Sequence, residues 1–340
     1  MNKKKTILFL PMLTLLLSSC SMGGKDYPMQ DYIAGTLQFK EDFRILQLSD
    51  VHLGNKDNLE YHFDFMKKTI DDAHADLIVV TGDVFTFADK NTANKTFKWL
   101  DSFNTPWTMV WGNHDEQCYF SIDWLTGRLN SLSKSAESKC IFKDLQDDNV
   151  FGNSNFVINL TGSHGEVVQQ LMFIDSNRYD FSKFKGYDAI HANQVDWYTS
   201  MTNYTKGSNT EYVPSLAFFH IPFIEFETAY NVAKAGTNPE VTFVGDVVKN
   251  DINTEGVACP KTDNGIFEAM KTHGTKGCFV GHDHVNTYCV NDQGVYLCYG
   301  IKATTRVYYD EELMGGQVIN MNSAGKITIE RIFHKYNEEA

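Results

Sequence analysis

Asp50-Val51-His52, Gly82-Asp83, Gly112-Asn113-His114-Asp115, His220 and Gly281-His282-Asp283-His284 are the segments of this chain best equipped for chemistry. Imidazole, carboxylate and amide oxygen together make the donor set preferred by borderline divalent metals. Asp50 and His52 are two positions apart, so extended backbone sends both side chains to the same side, and His282 and His284 repeat the spacing. A carboxylate such as Asp83 has two oxygens and can bridge two ions about 3.5–4 Å apart. Gly82, Gly112 and Gly281 let the backbone turn sharply beside such ions. Taken singly, the pieces are weak. D-x-H and Gly-Asp recur by chance, and a lone histidine after a Phe-Phe strand is more often a buried structural one. G-N-H-D and G-H-D-H are far rarer, and all the pieces in one order leave a metal site as the reading. An intact metal site without catalysis is the bland alternative.

These residues need a scaffold that brings distant positions together. Apolar strand-like runs cover Arg44–Leu48, Leu77–Val80, Thr108–Trp111, Gln170–Ile174, Ser215–Phe219 and Lys276–Val280. Helical spacing appears at Leu59–Ala73, Lys95–Phe103, Ile122–Leu132, Asn193–Thr202 and Gly265–His273. That alternation predicts an α/β domain. Each chemical segment follows one of the strands, and in α/β sheets ligands collect at the carboxyl ends of strands. After Gly281 the pattern becomes short strands with tight turns, at Thr287–Val290, Val295–Tyr299, Gln317–Asn320 and Lys326–Phe333, as in an antiparallel meander completing a sheet. Residues 36–340 read as one domain, without linker or repeat. Gly236–Asn264 reads as a long loop of the kind that is usually functional or disordered.

The order D-x-H, G-D, G-N-H-D, H, G-H-x-H resembles the calcineurin-like metallophosphoesterase superfamily over nearly the whole chain. The resemblance implies a four-layer fold, a β-sandwich flanked by helices with a dinuclear metal centre at one edge. It assigns Asp50, His52 and His284 to the first metal and Asn113, His220 and His282 to the second, with Asp83 bridging. His114 resembles the family's catalytic histidine that binds no metal, with Asp115 as its orienter. Ser215-Leu-Ala-Phe-Phe-His-Ile-Pro222, and Glu255–Cys259 leading to Asn264-Gly265, are similar to the purple-acid-phosphatase-like branch of plants and fungi. In the purple members a tyrosine soon after the G-D aspartate binds ferric iron. Here Val84, Phe85, Thr86 and Phe87 follow Asp83, so that ligand is missing and manganese, iron(II) or zinc is expected. The implied reaction is hydrolysis of a phosphate mono- or diester by hydroxide from a bridging or terminal water activated by two metals.

For the substrate, Asn264, Arg178 and Arg306 are candidate phosphate or leaving-group contacts. Phe85, Phe87, Trp111, Tyr119 and Phe120 are candidates for an apolar wall. Asp283, between two ligands, is expected to point away from the metals.

Charge and the amino terminus place the domain. The chain has 340 residues and a formal net charge of −13, which argues against nucleic-acid binding and against long polyanionic substrates, and leaves small phosphate esters. Lys3, Lys4 and Lys5 precede an apolar run from Ile7 to Leu17, too short for a span of about 20 residues, and the arrangement is that of a secretory signal. Leu17-Ser18-Ser19-Cys20 resembles a bacterial lipobox. Residues 1–19 would be cleaved, Cys20 lipidated, and residues 20–35 would form the tether of an extracytoplasmic, membrane-anchored lipoprotein. Cys118, Cys140, Cys259, Cys278, Cys289 and Cys298 remain, with pairing left open between bridges and free thiols. The non-catalytic alternative is a surface lipoprotein that keeps the metal fold as a binding module.

Overall fold

The computed structural model describes residues 27–180, 186–244 and 256–335. The expected signal and Cys20 therefore lie outside the described residues, and no described helix is long and apolar enough to cross a membrane.

A five-stranded sheet holds β2 (Ile45–Leu48), β3 (Leu77–Thr81) and β4 (Trp107–Val110) in parallel, with β12 (Gly315–Met321) and β13 (Ile327–Phe333) antiparallel at one side. An eight-stranded sheet runs β1 (Ile33–Gln38), β5 (Phe156–Thr161), β6 (Val167–Phe173), β7 (Ser215–Phe218), β9 (Thr275–Val280), β11 (Val295–Tyr299), β10 (Cys289–Asp292) and β8 (Val241–Phe243). Within it β6, β7, β9 and β11 are mutually parallel.

Strand alternation sorts the large sheet's side chains into two cores. Phe156, Ile158, Leu171, Phe173, Leu216, Phe218 and Phe279 pack inward with β2, β3 and β4. Their neighbours Val157, Met172, Ala217, Cys278 and Val280 face outward. The outward set is covered by α4 (Ala192–Lys206), α5 (Glu225–Ala235) and α6 (Ile266–Thr272), through Trp197, Tyr198, Phe226, Tyr230, Phe267 and Met270. On the other side, α1 (Leu59–Ala73), α2 (Lys90–Asp101) and α3 (Ile122–Leu132) join the inner cluster through Met66, Ile70, Phe97, Leu100, Leu125 and Leu129. The result is the expected four layers of helix, sheet, sheet and helix.

Caps set the helix starts. Asp89 accepts from the Thr92 N–H, so α2 begins ahead of the expected Lys95. Such a cap contributes roughly 1 kcal/mol. The closing strands correct the expected single meander, because β10–β11 joins the large sheet and β12–β13 the small one. A disulfide joins Cys289 to Cys298 at paired register positions, whereas Cys118, Cys140, Cys259 and Cys278 are free. Packing begins before residue 36. Tyr27, Met29 and Tyr32 are buried and β1 starts at Ile33, so the expected tether is shorter at its end. Of the expected loop Gly236–Asn264, Gly236 caps α5 and Val241–Phe243 forms β8, whereas residues 245–255 lie outside the described ones.

Candidate metal centre

The carboxyl ends of the two sheets meet, and their pairing continues past the last strand residues. His52 N donates to Asp83 O (2.8 Å), Gly281 N to His220 O (3.0 Å), and Ala303 N to Ser49 O (2.8 Å). Beneath the site, buried Gln47 on β2 donates to Thr81 Oγ1 (2.8 Å) and to the Val280 carbonyl (3.0 Å), tying one sheet to the other. The segments that follow β2, β3, β7 and β9 are thereby held against one another.

Two groups of donors result. Asp50, His52, Asp83 and His284 form one and Asp83, His220 and His282 the other, with each group's donor atoms within 4.8 Å of one another. Asp83 belongs to both. Its Oδ2 lies 3.2 Å from His220 Nε2 and 3.6 Å from His52 Nε2, whereas its Oδ1 accepts from the His114 N–H (2.7 Å). One oxygen, rather than one for each group, thus faces both sets. Asn113 is buried too. Its amide nitrogen donates to Tyr179 Oη (3.0 Å) and its Oδ1 has no hydrogen-bond partner.

The donor chemistry fits cations. His220 Nδ1–H donates to the Thr81 carbonyl and His284 Nδ1–H to the Tyr308 carbonyl, each at 2.8 Å, which fixes the tautomer and aims Nε2 into the site. His52 Nε2 then stands 2.9 Å from His284 Nε2, and His282 Nδ1 stands 3.3 Å from His220 Nε2. Paired imidazole nitrogens at that separation need a proton or a metal between them. Burial pushes His52 and His282 well below the ordinary histidine range, leaving them as neutral lone-pair donors. Burial opposes charge at Asp83 and His220 as well. Their mutual attraction nevertheless wins, holding Asp83 well below the usual carboxylate range and lifting His220 to about 9.

The backbone is strained to achieve this. Asp50 (φ 54°), His52 (φ 54°), Asp83 (φ 49°) and His282 (φ 81°) all lie in the left-handed region, which costs of order 1–3 kcal/mol per residue and concentrates at functional sites. Gly112 and Gly281 are required by close approach. A Cβ at Gly112 would strike the Asp83 carboxylate, and one at Gly281 would strike Ser49 Oγ and the Asp50 carboxylate. Gly112→Ala is therefore expected to lower stability by about 1–3 kcal/mol and to reduce bound metal. Thermal unfolding with and without Mn²⁺, together with metal analysis, checks it.

His114 stands beside the cluster, half-buried, its ring edge-on to His52 with centroids 5.1 Å apart. The expectation that Asp115 orients it is corrected. Asp115 Oδ1 accepts from the Phe85 N–H and Oδ2 from the Gly112 N–H, both at 2.8 Å, so it clamps the loops after β3 and β4 together. Burial, reinforced by the charge of Asp83, pushes its carboxyl up to about 7. Gln117 orients the imidazole instead, with Oε1 2.8 Å from His114 Nδ1. In the tight turn Asp115–Gln117 the residue next to His114 faces away, and the one three positions on returns to the same side.

Asp283 does point away from the cluster, accepting from Tyr299 Oη (2.5 Å), Asn286 Nδ2 (3.1 Å) and the Ala258 N–H (3.2 Å). Arg178 reaches Glu116 (2.8 Å) and Asn153 (3.1 Å), two positions along from His114. Arg306 pairs with Asp57 (2.8 Å), and the Asn264 amide donates to the Ile190 carbonyl (2.8 Å). Among the aromatics, Phe85, Trp111 and Phe120 are core, whereas Phe87 and Tyr119 are exposed. Sequence reasoning missed Lys302, buried with Nζ 2.8 Å from the Asp50 carbonyl oxygen, and Ser176, whose Oγ accepts from the His220 and Ile221 N–H groups. It missed Tyr179, Gln117 and Tyr308 as well. Lys302, Ser176 and Tyr179 follow β11 or β6, so the strand-end rule already applied to the other segments would have found them.

A model of the calcineurin-like phosphoesterase family matches residues 43–286, spanning every donor above. The chain belongs to the calcineurin-like phosphoesterase family. It is a hydrolase acting on phosphate esters. An Arabidopsis thaliana protein named probable inactive purple acid phosphatase 28 is 28% identical over 304 residues, 78% of this phosphoesterase and 71% of the relative. Phosphatase DCR2 of Saccharomyces cerevisiae is 27% identical over 286 residues, 76% of this chain and 47% of its own length. A dimetal phosphatase from Danio rerio shares the fold, with a TM-score of 0.50 at 12% identity over 85% of this chain and 99% of its own.

Proposed function

We propose that this phosphoesterase hydrolyses small phosphate mono- or diesters with two divalent ions, manganese, iron(II) or zinc. The observation that carries this is the pair of donor groups sharing Asp83 Oδ2. Asp50, His52 and His284 would hold one ion and Asn113, His220 and His282 the other, with Asp83 between them. When bound, the ions supply positive charge to the phosphate oxygens and lower the pKa of water towards neutrality. The protein supplies placement. Thr81 and Tyr308 carbonyls orient the imidazoles, Tyr179 turns the Asn113 oxygen inward, and the His114 N–H fixes the outer oxygen of Asp83. Gln117 Oε1 accepts from Nδ1–H of His114, so the imidazole can give a proton from Nε2 to the departing alcohol oxygen only as imidazolium, returning to the neutral Nδ1–H form as it does so.

The acidic chain supports small substrates, because positive charge at such a site comes from metals rather than from clustered Lys and Arg. We also propose an extracytoplasmic location with a lipid on Cys20, on the strength of the amino-terminal pattern alone. A catalytically silent metal-binding surface lipoprotein is the second reading, favoured by relatives whose names read probable inactive. Purified protein with Mn²⁺ is expected to turn over p-nitrophenyl phosphate or its bis-p-nitrophenyl diester, and their ratio reports the preferred class. Turnover of neither by metal-loaded protein would favour the silent module.

A further inference from the structure

Large hydrophobic side chains are well exposed at one flank of the donor cluster. Phe87 is 56% exposed, Tyr119 68%, Val307 49% and Tyr308 48%. Isolated surface aromatics are ordinary, but the segments that carry these adjoin the site. Thr86, next to Phe87, places Oγ1 2.8 Å from His52 Nδ1. Tyr119 N donates to the carbonyl of Ala88, on the other side of Phe87. The Tyr308 ring stacks on His284 with centroids 4.0 Å apart and planes at 19°, while its carbonyl accepts from that imidazole. The Tyr308 ring thus covers His284, and Phe87 follows directly on the residue that holds His52, the two histidines meeting at Nε2.

Backbone strain marks the same two places. Phe87 sits at φ 52°, and Val307, immediately before Tyr308, at φ 64°. A bulky or β-branched residue in the left-handed region is a genuine outlier, and such strain clusters at ligand clamps. Neither side chain gains burial from it. His114, the group placed to protonate a leaving oxygen, lies edge-on to the same His52.

We propose that Phe87 and Tyr308 form an aromatic clamp that selects phosphate esters whose leaving group carries a planar aromatic ring. The proposal rests on the phosphoesterase reading of the donor cluster and deepens it to a substrate class. Offset or edge contacts with two rings give a preference on the order of 10-fold.

Phosphonates test it without hydrolysis, so that leaving-group reactivity does not enter. Binding of phenylphosphonate and of methylphosphonate to the Mn²⁺-loaded full chain is measured by calorimetry. The phenyl compound is expected to bind about 10-fold more tightly. Phe87→Ala and Tyr308→Leu, compared at equal metal content, are each expected to shrink that ratio about threefold or more. Equal affinities, a ratio unchanged in both variants, or binding of neither phosphonate would overturn the clamp. Hydrolysis of glycerol 2-phosphate, assayed in parallel, reports the catalytic reading separately. A preserved phenyl preference with no hydrolysis sinks catalysis and leaves the clamp standing; hydrolysis without the preference does the reverse.

Discussion

Replacing Asp83 by Asn is expected to cut phosphate-ester turnover by about 10³-fold or more. A metal Lewis acid contributes several kcal/mol of transition-state stabilisation, and about 1.4 kcal/mol corresponds to tenfold in rate. Asp83 is the one side chain common to both donor groups, so its loss weakens two sites at once. The amide keeps the shape and can still accept from the His114 N–H, so the loops need not move. What disappears is the buried negative charge facing His220 and His52. Metal analysis should show fewer ions per chain than in the parent protein, and kcat should fall with that loss. Full metal occupancy with normal turnover in Asp83→Asn would remove Asp83 from the centre of the account.

His114→Ala is expected to lower turnover by about 10²-fold or more, the usual contribution of a general acid or base, with bound metal unchanged. The separation of activity from metal content is the informative part. His114 contacts Asp83 through its backbone N–H, which alanine retains, and its Nδ1 faces Gln117 rather than a donor group. Gln117→Leu should show a weaker form of the same defect, about tenfold, because the imidazole stays present but loses its anchor. Metal lost together with activity in His114→Ala would make His114 a ligand.

Much of this site is legible in the amino-acid sequence because its residues follow strands whose apolar runs are strong local signals. Asp50, His52, Asp83, His220, His282 and His284 each stand within a few positions of such a run, and the chain folds so that those ends meet. The helices Leu59–Ala73 and Ile122–Leu132 have the bounds their spacing predicts, because apolar periodicity and capping residues agree there. Other elements are hidden for physical reasons. β1 is an edge strand that stays partly exposed, so it lacks a clean alternating pattern. α5 carries Phe226, Ala229 and Tyr230 at helical spacing and ends at Gly236, yet it follows a run of aromatics that masks its start. The role of Asp115 is not readable from its place beside His114, because adjacency does not give direction and the two side chains diverge within one tight turn. Lys302 and Tyr179 carry no motif, only a position beyond a strand.

A metal titration of the chelated, purified protein tests most directly whether two divalent ions in one centre drive the proposed ester hydrolysis. Mn²⁺ is added in steps while bound metal and p-nitrophenyl phosphate turnover are followed together, with the bis-p-nitrophenyl diester run alongside. Turnover rising to a plateau as the second equivalent binds is the result expected from two donor groups sharing Asp83. Two equivalents bound with no turnover of either ester would contradict it.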